Sequence, residues 1–471
     1  MELGEVAAAL GASFGALEGR ERVVRSYSLD SRALAPGALF FAIRGPRFDG
    51  HDFVAAALAR GAVGAVVRRG FYERAGADSQ PSLIPVEDTT LALQQLAQAV
   101  RRKWARKIVA VTGSTGKTTT KELIAAILSA RSNVHKSSGN LNNHWGVPLT
   151  LLALELAHDV AVIEMGMSAA GEISRLAEIT EPEIGVVTNV APVHLEFFES
   201  LDAIARAKRE LIENLKEPGT AVLNYDDPRV RRFADAFRGR VVTFGFREGA
   251  DFRAVDVQAR GSLTPNEVGS VFRLESAPYQ GEFYLPLPGR HNVENALAAI
   301  AAVSLFQVDA RDAYSALGNF KPLHQRTEIL LANHAVVIND SYNSNPRALD
   351  QMLDTLAAWP GARRRIAVLG EMLELGPSSP EWHRSLGRKC ASSKVDWLVA
   401  VQGDARFFLE GAVEAGFRAG RTMFLEDAEQ AAVVCRELIQ PEDVLLVKGS
   451  RGVHLERVVD ALQSSQVILR A

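Results

Sequence analysis

Hydrophobic and polar positions along this chain follow two rhythms. Short apolar runs closed by Gly, Pro, Asn or Asp mark buried strands, and stretches with apolar residues three and four apart mark amphipathic helices. Residues 38–43 (ALFFAI) and 62–67 (AVGAVV) are runs of the first kind, set between turns containing Gly and Pro. They predict a small α/β unit over residues 1–87. From residue 88 the pattern changes: Leu91, Leu93, Leu96 and Val100 predict a helix, and 108–112 (IVAVT) predicts a buried strand entering a glycine-rich loop. Further strands are predicted at 160–163, 185–187 and 221–223, with helical stretches between them. A mostly parallel sheet with helices on both faces is therefore expected over 88–315. The alternation resumes over 316–471, with strands at 335–338, 366–369, 397–401 and 444–447 and a helix at 347–358. That segment reads as a Rossmann-like α/β domain. The expected fold class is α/β in three domains, which suits 471 residues at about 150 per domain. No internal repeat interrupts the pattern.

Composition narrows the functional classes. The chain is 47% hydrophobic and 23% charged, with a mean hydropathy of zero, so its core needs no staples. A net charge of −3 gives no reason to expect nucleic acid or an anionic membrane as partner. The cluster Arg363, Arg364, Arg365 is short and reads as solvated surface. Cys390 and Cys435 are far apart and in no metal-binding pattern, as in a reducing compartment. The opening MELGEVAAAL lacks the basic start and apolar stretch of a secretion signal. The longest apolar run, 296–306, is broken only by Ser304 and falls well short of the roughly 20 residues of a membrane span. A cytoplasmic protein without membrane insertion is expected, and a monomer.

Open α/β sheets bind ligands at the carboxyl ends of their strands. Polar clusters follow 111, 163, 187, 338 and 447. The strongest is TGSTGKTTT at 112–120, between a predicted strand and a predicted helix, which is the context a phosphate-binding loop requires. Glycines let backbone N–H groups turn toward phosphate oxygens, the helix N-terminus adds positive potential, Lys117 adds a point charge, and the Thr118 hydroxyl can ligate Mg²⁺. The usual first glycine falls at position 111, which is Val; the available one is Gly113. Glu164, at the tip of the 160–163 strand, is placed to hold Mg²⁺, which takes oxygen ligands. His194 follows another strand. Lys208, on its residues alone, reads as a solvated helical lysine.

TGSTGKTTTKE (112–122), Glu164, TNVAPVHLEFF (188–198) and AKREL (207–211) resemble the Mur ligase family of peptidoglycan synthesis. PLPGRHNVENALAA (286–299), HQRTE (324–328), DSYNSNP (340–346) and VKGSRG (447–452) extend the resemblance in the family's order over essentially the whole chain. GNLNNHWGVPLTLL (139–152) and VLGEMLELG (368–376) are similar to the branch that joins D-alanyl-D-alanine to UDP-N-acetylmuramoyl-tripeptide.

The resemblance implies ATP and Mg²⁺ as cofactors, with two ions. Gly113, Ser114, Thr115, Gly116, Lys117, Thr118 and Thr119 would surround the phosphates. Thr118 and Glu164 would hold one metal, and His194 and Lys208 a second, with Lys208 carrying a carbamate; the catalytic set is Lys117, Glu164, His194 and Lys208. Asn292 and Asn295 would contact the adenine side; Arg326, Asp340 and Asn343 would reach the nucleotide from the C-terminal domain. The family often has Gly where this chain has Gln325. Ser31, Arg32, Asp49 and His51, in residues 1–87, would lie near the UDP-sugar, with Asn140, Asn142 and Asn143 facing the same substrate from the central domain. The implied reaction is phosphorylation of a carboxylate to an acyl phosphate, followed by attack of an amine. Nothing in the sequence resembles a covalent nucleophile. The nearest alternative is the diamino-acid-adding relative. A folylpolyglutamate synthase-like enzyme would not be expected to have the Asp30-Ser31-Arg32 segment, and a P-loop ATPase module would turn over ATP without both co-substrates.

Overall fold

Every strand expected from the apolar runs forms, and three sheets collect them. The computed structural model describes residues 1–12, 19–76, 82–193, 195–261 and 267–468. Strands β1 (Ser26–Ser28), β2 (Ala38–Phe41), β3 (Gly64–Arg68) and β4 (Leu83–Val86) make a four-stranded parallel sheet in that order. β2 and β3 are buried on both sides, Leu39, Phe41 and Val66 toward Leu3 and Val6, Phe40, Ala65 and Val67 toward Val54 and Ala57. That two-sided burial is why these runs are continuously apolar.

The central sheet runs β13-β12-β11-β10-β9-β8-β5-β7-β6. Its strands are β5 (Ile108–Thr112), β6 (Val134–Lys136), β7 (Val160–Glu164), β8 (Ile184–Val187), β9 (Thr220–Asn224), β10 (Arg240–Gly245), β11 (Phe252–Arg260), β12 (Gly269–Leu274) and β13 (Gly281–Leu285). It is parallel from β6 to β11. The β11–β12 and β12–β13 pairings are antiparallel. The apolar run over 296–306 is mostly the helix Arg290–Val303, whose residues 292 to 303 are all buried against the sheet and the helix Lys117–Leu128. Each large aliphatic side chain so buried is worth about 1.5–3 kcal/mol. No helix among the described residues is long and apolar enough to cross a membrane.

The third sheet has the order β14-β15-β19-β16-β17-β18, from β14 (Glu328–Ala332), β15 (Ala335–Asn339), β16 (Arg365–Gly370), β17 (Trp397–Val401), β18 (Thr422–Leu425) and β19 (Val444–Lys448). Only β14 is antiparallel. The helix Ala310–Gly318 crosses the expected boundary at 315 and buries Ala313 and Leu317 in the central core. We therefore place the division beyond Phe320. The arginine cluster also departs from expectation, since only Arg363 is exposed. Arg364 pairs with the fully buried Asp443, and Arg365 donates to the carbonyls of Leu356 and Trp359. Carbonyls and a carboxylate at the foot of the sheet give these two guanidinium groups partners that sequence spacing does not reveal.

Candidate functional site

β5 ends at Thr112 and the helix Lys117–Leu128 begins five residues on, so the chain must reverse within four residues. Gly113 (φ +147°) and Gly116 (φ +79°) take conformations that a side chain disfavours. Space is equally strict. A Cβ on Gly113 would lie 1.9 Å from Thr188 Oγ1, and one on Gly116 2.1 Å from Asn295 Oδ1.

The segment after β8 braces the loop from behind. Thr188 Oγ1 donates to the Thr115 carbonyl (2.6 Å), and Asn189 Oδ1 accepts from Thr115 N (3.0 Å) and Oγ1 (3.1 Å). Ser114 N donates to the Asn189 carbonyl (2.9 Å), and Ser114 Oγ donates to the Ala191 carbonyl (3.1 Å). Ser114 and Thr115 are thus spent partly on holding the loop. Sequence reading missed Thr188 and Asn189; the polar pair directly after the apolar strand 184–187 was the available signal.

Lys117 Nζ curls back to the Gly113 carbonyl at 2.8 Å. Burial pushes its ammonium down, Glu164 opposes this, and Arg326 adds to it. Glu164, 2% exposed at the end of β7, accepts from Asn142 Nδ2 at Oε1 (2.8 Å). Its other oxygen, Oε2, is buried and accepts no hydrogen bond. The fully buried Lys121 stands 3.9 Å from that oxygen while donating to the Ser137 carbonyl (2.6 Å). Lys121 belongs to the stretch TGSTGKTTTKE (112–122).

Lys208 is not a solvated lysine. It is 3% exposed, on the buried face of the helix Leu201–Glu213 with Ile204, Leu211 and Ile212. Burial first, and then Lys117, hold its pKa well below the ordinary lysine value. Among the described residues its ammonium has no ion-pair partner. The spacing 204, 208, 211 and 212 puts it on the apolar stripe, a signal legible in the sequence. His194 lies outside the described residues. Among those described, no cluster of three His, Cys, Asp or Glu forms a ready cation cage.

The C-terminal domain closes the opposite wall. Arg326 stacks over Tyr342, 3.9 Å from the ring centre. Gln325 takes φ +59°, the left-handed conformation for which glycine is the cheaper residue. Asp340 accepts from Thr327 N (2.9 Å) and from Lys448 Nζ (2.5 Å), and Lys448 also reaches the Asn343 carbonyl (2.9 Å). Burial works to raise the Asp340 carboxyl, but Lys448, His291 and the Thr327 N–H bring it below its ordinary value. Burial holds His291 down to about 4. Lys448, inside the quoted VKGSRG motif, was missed as a site residue because nothing in the sequence says which acid it meets.

One cleft of about 670 Å³ between the central and C-terminal domains gathers most of the expected residues. The loop from Gly113 to Thr119, the three asparagines Asn140, Asn142 and Asn143, Glu164, Lys208, Asn292, Asn295, Arg326, Asp340 and Asn343 all line it. The asparagines are not equivalent: Asn142 holds Glu164, and Asn143 Oδ1 accepts from Gly146 N (2.8 Å). Asn292 Nδ2 is tied to the Pro288 carbonyl (2.8 Å). Ser31, Arg32, Asp49 and His51 do not line this cleft. Arg32 pairs with Asp30, whose carboxyl that guanidinium holds down to about 2. Both ring nitrogens of His51 are engaged, Nδ1 with Asp49 (2.6 Å) and Nε2 with the Arg68 N–H (2.9 Å). The structure therefore gives His51 a holding role within its own sheet.

Three family models match in succession: the Mur ligase family catalytic domain over residues 23–102, the Mur ligase middle domain over 111–303, and the Mur ligase glutamate ligase domain over 325–451. The UDP-N-acetylmuramoyl-tripeptide–D-alanyl-D-alanine ligase of Escherichia coli (strain K12) is 37% identical over 460 residues, 96% of this chain and of that protein. MurF from Acinetobacter baumannii superposes with a TM-score of 0.86 at 31% identity over 98% of both chains. MurF ligase from Thermotoga maritima, solved in complex with ADP, superposes at 0.82 and 29% identity over 95% of this chain and 99% of that one. Matched over nearly its whole length at such identity, the chain belongs to the Mur ligase family.

Proposed function

We propose that this protein is an ATP-dependent ligase that joins UDP-N-acetylmuramoyl-tripeptide to D-alanyl-D-alanine through an acyl phosphate, a step of peptidoglycan precursor synthesis in the cytoplasm. One observation carries the reading: groups suited to a triphosphate, a carboxylate and divalent cations meet in a single cleft between two domains. The names of the relatives supply the substrates. Residues 1–87 would bind the UDP-sugar, the central domain ATP, and the C-terminal domain would complete the nucleotide and amine sites. One chain supplies every group named, so the proposed working unit is a monomer.

The tripeptide carboxylate repels an amine and carries a poor leaving group. Its oxygen attacks the γ-phosphorus of ATP, ADP departs with the bridging electron pair, and an acyl phosphate forms. The dipeptide amine then attacks the carbonyl carbon, the tetrahedral species expels phosphate, and the nitrogen loses a proton. Phosphoryl transfer asks mainly for positioning and charge neutralisation. Lys117 supplies charge at the phosphates, and the loop N–H groups orient them. Arg326 and Asp340 bring the C-terminal domain onto the nucleotide and exclude water from the acyl phosphate.

The residues present fit Mg²⁺. Glu164 Oε2 is a buried acceptor without a donor, the kind of oxygen a hard cation takes. Thr118 and Glu164 would hold one ion; His194 and Lys208 would serve a second. When bound, Mg²⁺ neutralises phosphate charge. A lysine amine held neutral by burial can form an N–C bond with CO₂ and release a proton, which turns Lys208 into a carboxylate-like ligand.

The test is phosphate release with D-alanyl-D-alanine, L-lysine and meso-diaminopimelate, each against dipeptide and tripeptide acceptors. Release that requires both D-alanyl-D-alanine and the tripeptide acceptor is expected. Preferred use of a free diamino acid with the dipeptide acceptor would overturn the reading.

A further inference from the structure

One side chain of the C-terminal domain makes two ion pairs with the central domain. Arg347, in the first turn of the helix Pro346–Ala357, places Nη1 3.8 Å from Asp227 Oδ2 and Nη2 3.6 Å from Glu294 Oε2. Both acids are buried, whereas Arg347 keeps 29% of its side chain exposed. Neither acid faces Arg347 alone. Asp227 Oδ2 also accepts from Val190 N (2.8 Å), in the segment that braces the phosphate loop. Glu294 Oε1 accepts from Asn224 Nδ2 (3.0 Å), and the same amide donates to the Thr188 carbonyl (2.7 Å). Thr188 in turn donates to Thr115 of the loop (2.6 Å). Glu294 also shares its helix turn with Asn292 and Asn295, the residues proposed for the adenine side.

We infer that Arg347 is a positioning residue through which docking of the C-terminal domain sets the brace behind the phosphate loop and so raises affinity for the nucleotide. The physical logic is direct. With the domains apart, Glu294, which lines the nucleotide cleft, and Asp227 behind it both lose the guanidinium and keep only their hydrogen-bond donors. When Arg347 docks, its single positive charge is shared between both acids and steadies the two hydrogen-bond paths that lead to Thr188 and Val190. Both nucleotide and Arg347 then favour the same arrangement, so each tightens the other. The separations of 3.6 and 3.8 Å are longer than a direct hydrogen bond, which leaves the contact easily broken when the domains part.

This inference rests on the nucleotide-binding part of the proposed function, so its test reads ADP affinity directly by calorimetry, without turnover. The proteins are the full-length wild type, Arg347→Ala, Arg347→Lys, Glu294→Gln and the Arg347→Ala/Glu294→Gln double variant. Arg347→Ala should weaken ADP binding by roughly fivefold or more, the low end of ordinary site-to-site coupling. Arg347→Lys should recover part of that. In the Glu294→Gln background the same arginine change should cost a smaller factor, because one of its two partners no longer carries charge. The melting temperature of ADP-free Arg347→Ala should not move, because the guanidinium keeps 29% of its side chain exposed and stands beyond hydrogen-bond distance of both acids. Unchanged affinity in Arg347→Ala, equal factors in the two backgrounds, or a lowered melting temperature without ADP would overturn the inference. Wild-type protein that fails to bind ADP would overturn it together with the nucleotide reading, whereas the other outcomes leave that reading standing.

Discussion

Lys448 offers the sharpest test of how the C-terminal wall is built. It is 2% exposed, and its ammonium meets Asp340 at 2.5 Å, with 15% of the aspartate side chain exposed. Lys448→Met keeps the volume and removes the charge, leaving Asp340 in a setting where burial raises its pKa. Breaking such a pair from one side costs about 3–5 kcal/mol. Protonation caps the loss: neutralising a carboxyl of ordinary pKa about 3.9 costs about 4.2 kcal/mol at pH 7 and about 1.5 kcal/mol at pH 5. The sign in the native protein is the opposite of that in the variant. Wild-type Asp340 has a lowered pKa, so its stabilisation is present above about pH 4 and is lost only as pH falls through the depressed value. In the variant its raised pKa makes folding easier as the pH drops. The destabilisation from Lys448→Met should therefore shrink from about 3–4 kcal/mol at pH 7 to about 1.5 kcal/mol or less at pH 5. Denaturant midpoints of the C-terminal transition, followed at the two pH values, measure it. Lys448→Met/Asp340→Asn should regain most of the stability at pH 7. A loss below about 1 kcal/mol at pH 7, or one equal at both pH values, would refute the buried-pair argument.

Lys117→Ala should lower turnover by roughly 10²–10³-fold, the usual cost of one transition-state charge contact, with the melting temperature nearly unchanged. Lys208→Ala should abolish ligation, and short carboxylates added to the assay should restore part of it; full activity without them would make Lys208 a packing residue only. Gln325→Gly should raise stability by roughly 0.5–1 kcal/mol, since a left-handed residue with a side chain costs about 1–2 kcal/mol and added unfolded-chain freedom returns part of it. Cys390 and Cys435 are both buried, and burial pushes each thiol up to about 12. Neither should react with an aromatic disulfide reagent in the native protein near neutral pH, while both should react on unfolding; prompt native labelling would contradict their packing.

How much of this was legible depended on whether the signal was local. Strands buried on both faces are continuous in sequence, so β2, β5, β7, β16, β17 and β19 could be read directly. β11 and β13 bury alternate residues between exposed or half-buried charges, as in FRAVD and GEFYL, and that weaker alternation went unread. The phosphate loop was complete in its motif because its geometry is set by glycines adjacent in the chain. Its brace was not, since Thr188 and Asn189 act across more than 70 residues. Lys208 carried a readable signal that the composition of its neighbours masked: Arg206 and Arg209 suggest a solvated helix, and only the spacing shows that Lys208 turns inward. Pairings such as Lys448 with Asp340 depend on which strands lie side by side, and no residue spacing specifies that.

The strand order of the third sheet has a consequence for how the protein is made. β19, the last described strand along the chain, lies between β15 and β16, where it supplies hydrogen-bonding edges to both. During synthesis, β14 through β18 leave the ribosome with a strand-wide gap at the heart of their sheet. The apolar surfaces that β19 will cover stay open until it arrives, a window in which chaperones or wrong partners can bind. A chain cut short near residue 440 would therefore not be a protein missing its tip. It would lack the strand that joins the two sides of that sheet, and Lys448 with it. Genetic truncations in this region should behave as loss of the whole domain, while the two earlier sheets, already closed, keep their fold.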